Sequence, residues 1–195
     1  MSRVASALTL SPGDMRRLKI TDPYSIHRVV YSLFQDKEDR ILYCDLGGGP
    51  QGRQLLILSG AHPEDPDGKL QVLSRAVPDN FTSKDNYGFK IVINPVRCDS
   101  KTGKRVPIKD PEEIKQWFLN KAPSWGFSVS EDAIEILRTD VLQFDGKGKN
   151  RITAAQAHVR GLLSVLDRDL FRNSFEFGIG RSKAFGCGLL QLQAL

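Results

Sequence analysis

Ile26, Val29, Val30, Leu33 and Phe34 recur at i, i+3, i+4, i+7 and i+8, which gathers them on one apolar face of an amphipathic helix. Pro23 opens this helix behind Asp22 or Thr21 as N-cap, because the first turn has no use for the N–H that proline lacks. On either side the pattern is that of strands. Arg3 to Leu10 reads as a first strand. Ile41 to Leu46 and Arg53 to Ser59 read as two more, joined by the turn Gly47-Gly48-Gly49-Pro50-Gln51-Gly52, and Leu70 to Val77 closes the unit. The residues from Pro78 to Asn86 are polar and turn-rich, which sets a boundary there.

Beyond that boundary Tyr87 to Arg97 reads as a long strand, with Lys104 to Lys109 as its partner after a Ser-Lys-Thr-Gly turn. Asp110-Pro111-Glu112-Glu113 starts a helix that runs to Lys121, its acids at the positive end of the helix dipole. Ile134 to Phe144 and Ile152 to Val165 form two strands around Asp145–Asn150. A helix follows from Asp167 to Phe177, and Gly186 to Leu192 is the last strand. Each half suggests a βαββ-type order. The class is therefore α+β, a tandem of ferredoxin-like (RRM-like) βαββαβ units: one over residues 1–78, a linker over 79–86, and a second over 87–195.

Composition narrows the class of function. The 195 residues suffice for a real core, and 40% hydrophobic with 26% charged residues is ordinary for a globular protein. No apolar run reaches the roughly 20 residues that span a bilayer, and the apolar stretch within Met1–Leu8 is too short for a signal-peptide core. A cytoplasmic protein with no membrane partner is expected. Cys44, Cys98 and Cys187 are far apart and odd in number, and His27, His62 and His158 are not spaced as metal ligands beside them. Buried or half-buried free thiols are expected, with no metal and no cofactor.

The net charge of +5 becomes informative through its placement. Between Lys147 and Lys183 eight basic residues face three acidic ones, so the whole surplus lies in that segment. A second cluster, Lys101, Lys104, Arg105 and Lys109, has no acid within it. Both point towards a polyanionic partner.

Three features could carry chemistry. Tyr24, His27 and Tyr31 share a stripe beside the apolar face of the first helix, so an imidazole and two phenols stand where solvent or a ligand can meet them. By spacing alone this is also the pattern of a half-buried surface histidine, the commoner case on helices. The segment Gly178-Ile179-Gly180-Arg181-Ser182-Lys183-Ala184-Phe185-Gly186-Cys187-Gly188 packs four glycines and two cations between a helix and the final strand. Its glycines allow close backbone approach, its N–H groups can form an anion nest, and Arg181 and Lys183 add charge. It lacks the ending and the strand-then-helix order of a Walker loop. The ribbon tip Gly146-Lys147-Gly148-Lys149-Asn150-Arg151 can reach phosphates or lie along a groove, or simply be a solvated hairpin.

Taken together these features resemble the CasE family of CRISPR precursor-RNA endoribonucleases in the RAMP superfamily. The resemblance rests on Tyr24-Ser25-Ile26-His27 running into Val29-Val30-Tyr31-Ser32-Leu33-Phe34, on Asn94-Pro95-Val96-Arg97, and on Lys104-Arg105-Val106-Pro107. Its most specific element is the Gly-Ile-Gly-x-x-Lys-x-x-Gly-Cys-Gly-Leu-Leu pattern, matched from Gly178 to Leu190. The motifs run in order over nearly the whole chain.

The resemblance implies tandem ferredoxin-like domains and a CRISPR repeat hairpin as substrate, with other subunits of a type I-E-like effector complex as partners. It implies a transesterification in which the 2′-OH upstream of the scissile phosphate displaces the 5′-oxygen, leaving a 5′-hydroxyl and a 2′,3′-cyclic phosphate or 3′-phosphate. Since the nucleophile belongs to the RNA, no metal is called for, and DNA lacks the reacting group. His27 would exchange protons as acid or base, and Tyr24 would hydrogen-bond near the scissile phosphate. Gly178, Gly180, Arg181, Lys183, Gly186 and Gly188 would contact RNA phosphates. Lys147, Lys149 and Arg151 would grip the stem, with Lys104 and Arg105 assisting. The alternative within the same superfamily is a crRNA-binding subunit that holds RNA without cutting it.

Overall fold

The computed structural model describes residues 3–35, 40–50, 52–65, 67–145 and 151–195; of Asp145, Arg151 and Ile152 it describes the backbone. The lysines Lys147 and Lys149 lie outside the described residues, as does the side chain of Arg151.

The chain is an α+β protein built on two larger antiparallel sheets. The first contains β1 (Val4–Leu10), β2 (Leu42–Gly49), β3 (Gly52–Ser59) and β4 (Gln71–Ala76) in the order β2-β3-β1-β4. This is the ferredoxin-like order, in which the first and third strands occupy the centre. Two helices lie between β1 and β2: α1 (Pro12–Arg17) and α2 (Pro23–Ser32). The apolar stripe predicted for α2 is buried as Ile26, Val29, Val30, Leu33 and Phe34, against Leu8, Leu10, Tyr43, Leu55 and Ile57 of the sheet. Removing such side chains from water supplies roughly 1.5–3 kcal/mol each before entropy is counted, so this face fixes where α2 sits.

The second sheet contains β5 (Asn86–Ile93), β8 (Phe127–Ser128), β10 (Arg151–Val165) and β11 (Gln191–Ala194) in the order β11-β5-β10-β8, with β9 (Ile134–Asp145) also paired to β10. Helices α3 (Pro111–Lys121) and α4 (Arg168–Phe177) cover one face. Phe89, Phe118, Phe127 and Phe171 are buried there together. The same central pairing recurs, since β5 and β10 are the first and third main strands of this unit, so the expected tandem of ferredoxin-like units holds.

Two sequence expectations need correction. The strand from Tyr87 ends at Ile93 rather than Arg97, because Pro95 has no N–H to continue the ladder and the buried Asn94 Nδ2 instead donates to the Ala155 carbonyl at 2.6 Å. The chain resumes as β6 (Val96–Cys98), which pairs with β7 (Arg105–Pro107) in a separate ribbon. The last strand starts at Gln191, not Gly186. Gly188 has φ +88° and approaches the Ile179 carbonyl so closely that a Cβ would lie 2.5 Å from it, a conformation for a packed loop rather than a ladder.

A third buried cluster joins the sheets. Leu42, Cys44 and Leu58 from the first meet Val92, Phe175, Cys187 and Leu189 from the second unit. Arg3 reinforces the seam, donating from Nη2 to the Glu176 carbonyl at 2.6 Å. Near residues 79–86, the Tyr87 hydroxyl donates to the Phe81 carbonyl and accepts from the Lys84 N–H, both at 2.8 Å.

Candidate active site

Helix α2 is anchored by its first turn. Asp22 is the N-cap, accepting from the Ser25 N–H at 2.7 Å, while Ser25 Oγ accepts from the Asp22 N–H at 3.0 Å. This reciprocal box and the buried apolar stripe together fix the rotation of the helix, and hence the direction of the neighbouring stripe.

That stripe holds Tyr24, His27 and Tyr31. The His27 ring lies 4.2 Å from the Tyr31 ring and 6.1 Å, near parallel, from the Tyr24 ring. The Arg28 guanidinium lies 5.9 Å from the centre of the Tyr24 ring. The Phe185 ring stands 6.2 Å from His27. His27 Nδ1 is buried without a hydrogen-bond partner. Burial pulls the His27 pKa below 6.5, and the nearby Ala184 carbonyl, which favours the charged form, opposes this only in part. An imidazole held mainly neutral near pH 7 is able to accept a proton.

The glycine-rich segment folds over this stripe. Gly178 ends α4 at φ +75°, the Ile179 N–H donates to the Gly188 carbonyl at 2.9 Å, and the Gly188 N–H donates to the Val92 carbonyl at 2.7 Å. Gly178 and Gly188 are thus required by close packing: a Cβ on Gly178 would lie 2.7 Å from a Leu42 methyl. Gly180, at φ +72°, has open space around its Cβ position, and Gly186 ends a 3₁₀ turn over Lys183–Phe185. Arg181 is exposed and, among the described residues, makes no ion pair. Lys183 is half-buried, and burial, with Arg40 nearby, lowers its pKa. The 3₁₀ turn that holds Lys183 and ends at Gly186 therefore meets the imidazole through Phe185, as the chain positions alone could not show.

The family model of the CRISPR associated protein matches residues 4–194. The chain belongs to this CRISPR-associated family. It is 25% identical to the CRISPR-associated endoribonuclease Cse3 of Thermus thermophilus, over 95% of this chain and 97% of that protein. It is 27% identical to the CRISPR system Cascade subunit CasE of Escherichia coli, over 95% and 99% respectively. Its fold matches the structure of CRISPR endoribonuclease Cse3 bound to a 19-nucleotide RNA with a TM-score of 0.83, at 24% identity over 98% of this chain and 99% of that one.

Lys104 and Arg105 lie at the start of the β6–β7 ribbon's second strand, both exposed and, among the described residues, without ion pairs. The β9–β10 ribbon approaches the site through Phe144, whose ring meets Phe185.

Sequence reading missed three residues. His158, on β10, has its Nε2 3.2 Å from Arg138 Nη2 and 3.3 Å from Asp140 Oδ2. Tyr43 and Gln156 both donate to the glycine-rich segment, at the Ala184 and Phe185 carbonyls. Cys44 and Cys187 are buried free thiols, raised to about 11 and about 12 chiefly by burial, while Cys98 is exposed. No described helix is long and apolar enough to cross a membrane.

Proposed function

We propose that this protein is an endoribonuclease that cuts CRISPR precursor RNA at its repeat hairpins and stays bound to the product. The observation that carries this reading is His27, half-buried between Tyr24 and Tyr31, with its pKa drawn down and a cationic glycine-rich segment folded against it. Kinship with proteins named as a CRISPR endoribonuclease and a Cascade subunit supplies the substrate class and the expectation of partner subunits in an effector complex.

In this mechanism His27 is neutral at pH 7 and takes the proton of the 2′-OH upstream of the scissile phosphate. The oxygen forms a new bond to phosphorus and the bond to the 5′-oxygen breaks, giving a 2′,3′-cyclic phosphate. The leaving 5′-oxygen takes up a proton that the His27 imidazolium returns, directly or through water, and ends as a hydroxyl. The nucleophile is the RNA's own, so the reaction is metal-independent. Tyr24 hydrogen-bonds near the scissile phosphate. Arg181, Lys183 and the N–H group of Gly180 supply the phosphate contacts, since the N–H groups of Gly178, Gly186 and Gly188 already donate to the Ser174, Lys183 and Val92 carbonyls. Lys104, Arg105, Lys147, Lys149 and Arg151 hold the stem through its backbone. Residues 1–78 act as the unit that carries the proton-transfer helix, and 87–195 as the unit that carries the ribbon and the glycine-rich segment, with 79–86 between them.

The test is incubation with labelled repeat-hairpin RNA in EDTA, beside a copy carrying 2′-deoxy upstream of the cut. Cleavage of the all-RNA hairpin alone, abolished in His27→Ala with binding intact, is the expected result. Tight binding of both RNAs with no cleavage of either sinks the nuclease reading and leaves an RNA-holding subunit.

A further inference from the structure

The glycine-rich segment is tied down twice at its base, by Ile179 to Gly188 and by Gly188 to Val92. Its tip, the 3₁₀ turn Lys183–Phe185, is the part that reaches His27, and it is a poor structure on its own. The turn is entered through Ser182 in the left-handed region at φ +58° and left through Gly186 at φ +80°. A short 3₁₀ turn entered through a left-handed serine needs outside partners to persist.

Two side chains provide them. Tyr43 on β2 is 1% exposed, and its hydroxyl donates to the Ala184 carbonyl at 2.7 Å. Gln156 on β10 donates from Nε2 to the next carbonyl, that of Phe185, at 2.8 Å, and the same nitrogen lies 3.4 Å from Cys187 Sγ. One donor comes from each large sheet, and they meet consecutive carbonyls of one turn. The side chain between those carbonyls is Phe185, whose ring stands 6.2 Å from that of His27 and also meets Phe144.

We propose that Tyr43 and Gln156 are positioning residues, which clamp the Ala184–Phe185 turn from both sheets so that it closes over His27 and holds the imidazole ready for RNA. This rests on the reading of His27 as the proton-transfer group. Neither clamp residue touches the reacting atoms. Tyr43 sits in the core with its single polar atom spent on Ala184, and Gln156 faces the turn rather than the α2 stripe. If the clamp opens, water reaches the ring. Since burial is the main cause of the lowered His27 pKa and no charged side chain contributes, opening must raise it, despite the loss of the Ala184 carbonyl. The other ionisable groups close to the ring are Tyr24 and Tyr31 on its own helix, and Lys183 lies in the clamped turn.

Tyr43→Phe keeps the buried ring and removes only the donor; Gln156→Leu keeps the bulk. The experiment measures His27 titration in the full-length free protein by imidazole NMR, assigned with His27→Gln, alongside single-turnover cleavage and hairpin affinity. Both variants should raise the His27 midpoint towards 6.5. Both should slow cleavage by about tenfold, the size of one lost hydrogen bond, with affinity within about threefold of wild type. In a His27→Ala background neither should slow the residual reaction further, because they act through that ring. An unmoved His27 midpoint in both variants overturns the clamp, as does the same slowing with and without His27. Failure of the wild-type chain to cut RNA would sink the nuclease reading instead, and the NMR arm would still decide the clamp.

Discussion

Phe144 meets Phe185 edge to face, with ring centroids 4.8 Å apart. One ring belongs to the β9 ribbon that leads to the basic tip, and the other stands 6.2 Å from His27. The arm assigned to the RNA stem and the imidazole assigned to the cut therefore share an aromatic neighbour.

Phe185→Ala should disconnect the two. Losing the ring removes an aromatic pair worth about 0.5–1.5 kcal/mol beyond area burial, so urea unfolding should show a loss of about 1–2 kcal/mol. Single-turnover cleavage should fall by tenfold or more while hairpin affinity changes little. A variant that cleaves at the wild-type rate would show that the ring is packing alone.

The pH dependence has a defined sign. A neutral imidazole that accepts a proton gives a rate that rises with pH and levels above its pKa, and burial sets that pKa below 6.5. The half-maximal rate should therefore fall below pH 6.5. Stability follows the same shift. In the window between the folded pKa and the unfolded value the unfolded chain binds more protons, so stability grows with pH there and is lost as pH falls through it. His158, lowered by burial and by Arg138, acts in the same direction. Urea unfolding at several pH values from 5 to 7 should show a decline towards pH 5 that is shallower in His27→Gln.

How much of this was legible in the sequence depends on how far apart the partners lie. The α2 stripe and its Asp22 cap are local, and the spacing at Ile26, Val29, Val30 and Leu33 revealed them. Helix α1 was missed although Ser11 and Asp14 form a capping box four residues long, because six residues are too few to show a period. Gly186 to Leu190 reads as strand because it is apolar, but its burial comes from packing in a loop against Leu42 and Tyr43. Tyr43 and Gln156 lie 141 and 29 residues from the carbonyls they hold, and nothing along the chain couples them. His158 meets Arg138 and Asp140 through the β9–β10 ladder, where a bulge sits between His158 and Val159.

Two glycines of one motif should behave differently. Gly188→Ala places a Cβ 2.5 Å from the Ile179 carbonyl at φ +88°, where backbone has to shift. The left-handed conformation costs about 1 kcal/mol and the overlap typically 1–3 kcal/mol more. Gly180→Ala at φ +72° meets nothing within 4 Å and should cost about 1 kcal/mol. Urea unfolding of the two variants should separate them by at least about 1 kcal/mol, and equal losses would show that the Gly188 backbone relaxes freely.

Charge counted along the chain does not distinguish cations already engaged within the protein from those available to RNA, and salt dependence does. Arg160 falls within the basic segment, yet it is bound to Glu135 at 2.7 Å on the sheet face. Arg97 is likewise paired, with Glu113 at 3.0 Å. Arg181, Lys104 and Arg105 are exposed, and among the described residues they make no ion pair. Each phosphate contact made by a cation steepens the fall of log K against log salt by roughly 0.7–0.9. Arg181→Ala, and Lys104→Ala with Arg105→Ala, should therefore flatten that slope by about one contact per cation that touches phosphate, while Arg160→Ala should leave it unchanged. Fluorescence anisotropy with labelled hairpin over a range of salt concentrations reads the slope directly. An Arg160→Ala slope as flat as that of Arg181→Ala would mean that the Glu135 pair opens to admit RNA, and would extend the contact surface from the glycine-rich segment onto the open face of the second sheet.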